Sequence, residues 1–239
     1  MILSLYHNLI YQPLYNGLVF LVDLLPWADA GIIVILFTII VKLILFPLSK
    51  KAVSTQYQMK KYEPELNSIK EKYKDDKQEQ ARQTMAFYKD KKINPFSSFF
   101  LILIQLPVII ALYRIFLNSG LPSVNAELLY SFVPAPENIN MLFLGFFNIM
   151  QKNWILALLV GISTYFQIQF SMPPTKPRTE SDTFKDDFAR SMSLQMKYIF
   201  PVISTFFSYS LSGTIALYWL TSNLFTIAQE AVVRKKWLK

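Results

Sequence analysis

The chain has no cysteine in its 239 residues, a single histidine and six glycines. Without cysteine there is no disulfide framework, no thiolate metal site and no lipoprotein anchor. With His7 alone there is no H-x-x-x-H pair to hold a metal, and so few glycines leave no Gly-rich loop to cradle a phosphate. Acidic residues fall in loops, in the polar segment after the first apolar stretch and at the edges of the apolar stretches, with no pair of them inside one. An enzyme needs a nucleophile with its base, paired carboxylates or a metal cluster. None of these can be assembled, which argues against an intramembrane protease or lipid transferase, and no cofactor or metal is expected.

What is present is apolar. Hydrophobic residues make up 53% of the chain and aromatic ones 15%, including 20 Phe and 13 Tyr, which is too apolar for a soluble domain of this length. The composition implies an all-α membrane protein that crosses the bilayer repeatedly. A hydrocarbon core about 30 Å thick asks for about 20 mostly apolar residues per helix. Stretches 31–48, 96–117, 154–172, 195–211 and 214–233 meet that demand, so five transmembrane helices are expected. Residues 139–150 are too short at 12 residues. Residues 2–25 are interrupted by Asn8, Gln12, Pro13, Asn16 and Asp23, while Leu5, Leu9, Leu14 and Leu18 fall near one face. Residues 1–30 therefore read as an amphipathic helix lying in the interface, with a sixth span as the competing reading. The first residues carry no basic stretch and no small-residue cleavage site, so a cleaved signal peptide is not expected.

The net charge of +8 follows topology rather than a folded basic domain. Residues 50–92 hold 12 lysines and arginines, 173–197 hold five and 234–239 hold four, against none in 1–30 and only Lys152 in 118–153. The positive-inside rule then puts residues 1–30 outside and the C-terminus in the cytoplasm, as an odd number of spans requires. Anionic lipid headgroups account for the basic excess, and no specific nucleic-acid binding is expected.

Between the first two spans, residues 49–95 carry their own pattern. Leu66, Ile69 and Tyr73 recur on one helical face, as do Ala81, Met85 and Tyr88, with Asp75 and Asp76 as the turn between them. This predicts a cytoplasmic helical hairpin, highly charged and joined by two thin apolar stripes, and the most mobile part of the molecule. Residues 173–194 are proline-rich and charged without a sustained period, so irregular structure is expected there. Residues 234–239 form a short basic tail.

Lys42 lies inside the first apolar stretch, and the sequence supplies it with no anionic partner at that depth. An ammonium in hydrocarbon costs on the order of 2.5 to 3.5 kcal/mol on insertion scales, so it needs a partner, water or an escape to the interface. Lys42 is six residues from Leu48, about 9 Å along the helix, which a long side chain can snorkel. Alternatively it lines a hydrated pocket open to the cytoplasm. Thr38 precedes it by one turn, Gln105 is in the second stretch near Pro107, Gln167 in the third, and Ser222 and Asn223 in the fifth. Each alone reads as a helix-to-helix hydrogen bond. Together, beside an unpartnered ammonium, they favour one wet groove. Arg114 stands near the outer end of the second stretch, where it reaches headgroups. Trp27, Trp154 and Trp237 stand at interfacial positions, whereas Trp219 is well inside the fifth stretch and should face protein or groove.

These motifs resemble those of the YidC/Oxa/Alb membrane protein insertases. TIIVKLILFPLS (38–49) resembles the family's first core span, T-x-x-V-R-x-x-x-x-P. PELNSIKEKYKDD (64–76) and MAFYKDKKINPF (85–96) resemble its cytoplasmic segment and Asn-Pro exit. IQLPVIIALYRIF (104–116) resembles its second-span pattern Q-x-P-x-x-x-A-L-Y, and SGTIALYWLTSNLFTIAQE (212–230) its fifth span. The resemblance covers residues 30 to 235. It implies a polar groove closed toward the outside and open to cytoplasm and lipid, with Lys42 as its charged member and Gln167, Tyr218 and Trp219 as neighbours. The chain departs from the pattern at Lys42, where the family usually has arginine. Lysine keeps the positive charge but not the bidentate fork. The stretch compared lacks the large extracytoplasmic domain of some bacterial members and the long basic ribosome-binding tail of others.

The resemblance implies insertion of nascent membrane proteins without covalent chemistry, in a bacterial plasma (inner) membrane. Membrane lipids are then partners, with the ribosome and the Sec translocon as further candidates. A small anion transporter or channel with Lys42 as its anion site is the alternative, but a conduit requires a polar route on both sides of the membrane, and the outer half supplies none.

Overall fold

The computed structural model describes residues 2–94, 97–116, 121–136, 138–171 and 190–237, and the side chains of most of these. The described chain is mostly helical and divides into two compact units, residues 1–43 with 107–230 and residues 44–106 with 231–239. The expected loop at 173–194 lies mostly outside the described residues, but its last part, residues 190–194, is helical rather than irregular.

In the first unit the chain opens with α1 (Ile2–Tyr6), a wide π-turn over His7–Tyr11, and α2 (Gln12–Leu24). Pro13 lacks the N–H that a regular helix would use, and the widened turn stands just ahead of it. Asn16 and Tyr15 are buried and fasten α2 to the connection at residues 125–130. The Asn16 Oδ1 accepts from the Tyr130 N–H at 2.6 Å while its Nδ2 donates to the Leu128 carbonyl at 2.9 Å. The Tyr15 hydroxyl accepts from the Asn125 N–H at 2.6 Å. Burial raises the Tyr15 phenol above its ordinary pKa, with the Asn125 N–H acting in the other direction.

Helix α3 (Ala30–Lys61) begins at Asp29, whose Oδ1 caps the Ile32 N–H at 2.9 Å. It was expected to end at Leu48 but continues through Pro47 to Lys61, because residues 50–61 hold neither proline nor glycine to stop it. At 32 residues it is about 48 Å long, well beyond a bilayer core of about 30 Å. Helix α6 (Ser97–Arg114) passes through Pro107. From Pro107 onward its buried positions Val108, Ala111, Leu112 and Ile115 alternate with exposed Ile109, Ile110 and Tyr113, a helical period with one face outward.

Residues 139–150 form a small antiparallel ribbon, β1 (Leu142–Phe143) paired with β2 (Phe147–Asn148), the one departure from an all-helical chain among the described residues. Phe143 packs on Gly31, where any Cβ would collide with its ring. Helix α7 (Trp154–Ser171) follows, then a π-turn at Gln195–Ile199 leading into α8 (Phe200–Ser210), and α9 (Gly213–Trp237). Again the widened turn stands just ahead of a proline, Pro201.

Helices α7 and α8 are packed inside out relative to a soluble protein. Gly161, Ser163, Thr164, Ser204 and Ser208 are buried, whereas Leu158, Ile162, Phe166, Phe170, Val202, Ile203, Phe206 and Phe207 are exposed. Lipid tails supply no hydrophobic drive between helices, so contact rests on close approach of small residues. Among the described residues, two helical stretches are long and apolar enough to cross a membrane, Ala30–Met59 and Trp154–Ser171. Only 33% and 39% of their most apolar windows are buried, too little for core helices of a soluble protein.

In the second unit α4 (Glu63–Lys72) and α5 (Lys77–Asp90) pack on each other. Asp76 caps α5, accepting from the Gln78 and Glu79 N–H groups at 3.0 Å, so the turn proper falls just before it. The expected stripe of α5 is displaced: Ala81 and Met85 are exposed, while Gln80, Thr84, Phe87 and Tyr88 are half-buried. The cause is polar and aromatic. The Gln80 amide donates to the Lys70 carbonyl at 2.6 Å, and Phe87 meets Tyr62 edge-on at 6.0 Å under the Lys91 ammonium. No residue of either helix is fully buried.

The α7–α8 contact yields a test. A Cβ on Gly161 would strike the Thr205 hydroxyl, so Gly161→Leu is expected to overpack this contact and cost about 1–3 kcal/mol. Thermal unfolding of the purified protein in detergent measures it, and Gly161→Leu should unfold well below the exposed-face control Ile162→Leu.

Candidate functional site

Lys42 sits on α3 in the first unit, half-buried, and among the described residues it makes no hydrogen bond or ion pair. Thr38 is one turn earlier and fully buried, with its hydroxyl donating to the Val34 carbonyl of its own helix at 2.6 Å. Around Lys42, Val41 is buried while Ile40, Leu43 and Ile44 are exposed. The charge thus stands on a helix whose other nearby surface is hydrocarbon.

Helix α9 carries Tyr218, Trp219 and Ser222, all half-buried. Tyr218 and Ser222 share one face of α9 by their i, i+4 spacing, and the Tyr218 ring lies 6.3 Å from Phe116. Trp219 stands edge-on to Phe207 of α8 at 6.3 Å. It faces protein, within the terms expected. Gln167 on α7 is half-buried and makes no hydrogen bond among the described residues. The Gln105 side chain lies outside the described residues, as does that of Trp237. Of the seven candidate residues, Tyr218 and Ser222 therefore share a face of α9 by their spacing. Thr38 shares the Lys42 face of α3 by its spacing.

Asn223 has the ordinary fate of a buried amide. Its Nδ2 donates to the Ser163 and Thr164 hydroxyls of α7 at 3.0 and 2.9 Å, fully out of solvent. Its polarity is spent on joining α9 to α7. Arg114 departs from expectation in detail, since its guanidinium lies over the Tyr6 ring of α1 at 6.0 Å. Burial raises the Tyr6 phenol, and the neighbouring Arg114 charge lowers it. Trp27 and Trp154 are both exposed, as interfacial residues should be.

One buried group escaped the sequence reading. Glu230, within the fifth apolar stretch, is buried and accepts a short hydrogen bond from the Ser171 hydroxyl at the end of α7. Its position next to Gln229 in a run that turns basic at Arg234 looked like a membrane edge. Nothing in the spacing distinguished a buried carboxylate from an exposed one.

The family model of the 60Kd inner membrane protein matches residues 22–239. A protein named membrane protein insertase YidC from Fusobacterium nucleatum subsp. nucleatum is 31% identical over 229 residues, which is 95% of this chain and 98% of that protein. Two others of the same name, from Francisella tularensis subsp. novicida and subsp. holarctica, are 29% identical over 205 residues, 86% of this chain. The chain spans only 32% of the length of these Francisella relatives.

Asn223 gives the test of this region. Asn223→Ala removes two buried bonds and is expected to cost about 0.6 to 2 kcal/mol. A double-mutant cycle with Thr164→Val, read by unfolding in mixed micelles, should show less than additive loss. Strict additivity would mean that the two side chains do not interact.

Proposed function

The chain belongs to the family of the 60Kd inner membrane protein, and on that premise we propose that it is a membrane protein insertase. In this reading it lets short polar ends of nascent membrane proteins enter the bilayer from the cytoplasm. The observation that carries it is Lys42: a half-buried ammonium, without hydrogen bond or ion pair among the described residues, on a helix whose exposed neighbours Ile40, Leu43 and Ile44 are apolar. Support also comes from the relatives named insertases, one matched over nearly its full length.

The mechanism follows from solvation. A polar tail crossing hydrocarbon must shed water from each carboxylate and peptide group. A groove hydrated from the cytoplasm shortens the dry path. Lys42, with Gln167, Tyr218, Trp219 and Ser222, would line that groove, and the Lys42 charge attracts acidic residues of the tail. Thr38 and Asn223 hold their polarity within or between helices, leaving Lys42 and Gln167 as the groups with polarity to offer. The client's apolar helix leaves sideways into lipid, and its partition supplies the driving force, so no nucleotide, metal or covalent step is needed.

The five-span topology, with residues 1–30 outside and the C-terminus in the cytoplasm, belongs to the same proposal. So does the role of α4 and α5 as a cytoplasmic hairpin that captures clients. The exposed charges of the pair and its lack of any fully buried residue support a surface that remakes contacts readily.

Reconstituted vesicles supply the test. Lys42→Arg is expected to retain insertion of a single-span client with a short acidic tail, and Lys42→Ala to lose most of it at matched protein level. Equal insertion by Lys42→Ala and the unaltered protein would remove the charge-attraction step. Solute flux without insertion would instead favour the channel. Deleting residues 65–89 should slow client capture while leaving the unfolding midpoint of the remaining helices nearly unchanged.

A further inference from the structure

The tip of the β1–β2 ribbon presents a large apolar surface in an uncommon backbone conformation. Leu144 has a φ of 54° and Gly145 a φ of 80°, the left-handed pair that a tight hairpin turn requires. Asn, Asp or Gly serve the first of these positions without strain, whereas leucine does not. Leu144 is nonetheless there, 56% exposed, with Phe146 beside it 66% exposed. The inward side of the ribbon is satisfied separately, because Phe143 is buried against Gly31. Beyond the contact of the Phe146 ring with neighbouring Phe147 at 4.4 Å, the outward faces of Leu144 and Phe146 stay open.

The position of the ribbon identifies what covers them. The Leu144 N–H donates to Asp29 Oδ2 at 3.0 Å, and Ala30 N–H to the Asn140 carbonyl at 2.8 Å, tying the ribbon to the start of α3. Thr214 and Gly213 donate their N–H groups to the Ile149 and Gln151 carbonyls at 2.8 and 2.9 Å, tying it to the start of α9. Asn153 caps α7 and is followed by the exposed Trp154. The ribbon is thus level with the beginnings of α3, α7 and α9. From that level onward α7 presents Ile155, Leu158, Leu159 and Ile162 outward, an apolar surface suited to lipid. The ribbon tip stands at the level where that apolar surface begins.

We propose that Leu144 and Phe146 form a lipid-inserting wedge. It seats the ribbon in the acyl–headgroup boundary of the leaflet at the N-terminal ends of α3, α7 and α9. An apolar tip of this size gains by leaving water for that boundary, which offsets the strained turn. Because Asp29 joins the Leu144 N–H to the first turn of α3, the wedge also fixes the depth at which the Lys42 helix enters the bilayer.

The absence of native cysteine makes the test direct. Leu144→Cys and Phe146→Cys are labelled with an environment-sensitive fluorophore in phosphatidylcholine–phosphatidylglycerol vesicles, beside Glu127→Cys as an aqueous control and Ile162→Cys as a bilayer control. Both tip positions are expected to show blue-shifted emission, several-fold weaker quenching by iodide than Glu127→Cys, and strong quenching by lipids brominated near the headgroup. Iodide quenching equal to that of Glu127→Cys would overturn the proposal. So would disulfide formation between Leu144→Cys copies, which would assign the tip to a second copy. If Ile162→Cys were also open to iodide, the membrane reading of α7 would fail instead. The double variant Leu144→Asn with Phe146→Asn provides an independent readout, since asparagine suits the turn. It should unfold at or above the original temperature in detergent, yet below it in vesicles.

Discussion

In hydrocarbon, a polar group without an internal partner has nowhere to turn, and burying apolar surface between helices gains almost nothing over leaving it in lipid. The arrangement of α7, α8 and α9 follows from these two facts. Ser163, Ser204, Thr221 and Asn223 point inward, where they bond one another's helices or their own helix carbonyls. Gly161 lets α8 approach until Thr205 fills the space a side chain would take. Apart from Ile168, the phenylalanines and isoleucines of α7 and α8, which would form the core of a soluble protein, are left outside. Lys42 matters because it breaks this economy: it carries a full charge and has no hydrogen bond or ion pair among the described residues.

A second kind of bonding holds the side of the molecule where α3, α7 and α9 begin. There, single side chains fasten irregular backbone. Asn16 takes hold of residues 128 and 130, Tyr15 of residue 125, and Asp29 of both the first turn of α3 and the ribbon at Leu144. Loops of this kind expose N–H and C=O groups that no helix or sheet serves, and a short amide or carboxylate can pair with two of them at once. Such bonding keeps a connection ordered without a hydrophobic core beneath it. On the proposed topology this is the outer side, and order there is what a groove closed to the outside requires.

The sequence made the long apolar helices legible because hydrocarbon imposes a length, and α3 and α7 begin within a residue of where composition put them. Lys42 was legible for the same reason, since one charge in an apolar run is conspicuous. Asn16 and Asp29 were not. In sequence they looked like interruptions of an apolar stretch and a loop acid, and their importance lies in partners about 115 residues away, beyond any local period. The ribbon was missed because its strands are two residues long, too short for alternation to register. The face of α5 was misjudged because hydrophobicity was weighed above geometry. Met85 is more apolar than Gln80, but the glutamine reaches a free carbonyl at the end of α4, and that bond sets the rotation of the helix.

On the proposed function, lysine in place of the arginine usual in the resembled pattern bears on what a groove would ask of its cation. Arginine holds a carboxylate with two parallel bonds and so fixes orientation as well as charge. A client tail passing through must be released, and its acidic residues arrive in no fixed register. For such a ligand a rotatable ammonium on a flexible stem is sufficient, and a bidentate clamp would favour some geometries over others. Thr38, the nearest polar group on the same face, has its hydroxyl donating to its own helix and is not free to supply the second arm of such a clamp. The residues around Lys42 therefore suit a site that acts by positive potential rather than by shape, which is what a carrier of many unrelated tails needs.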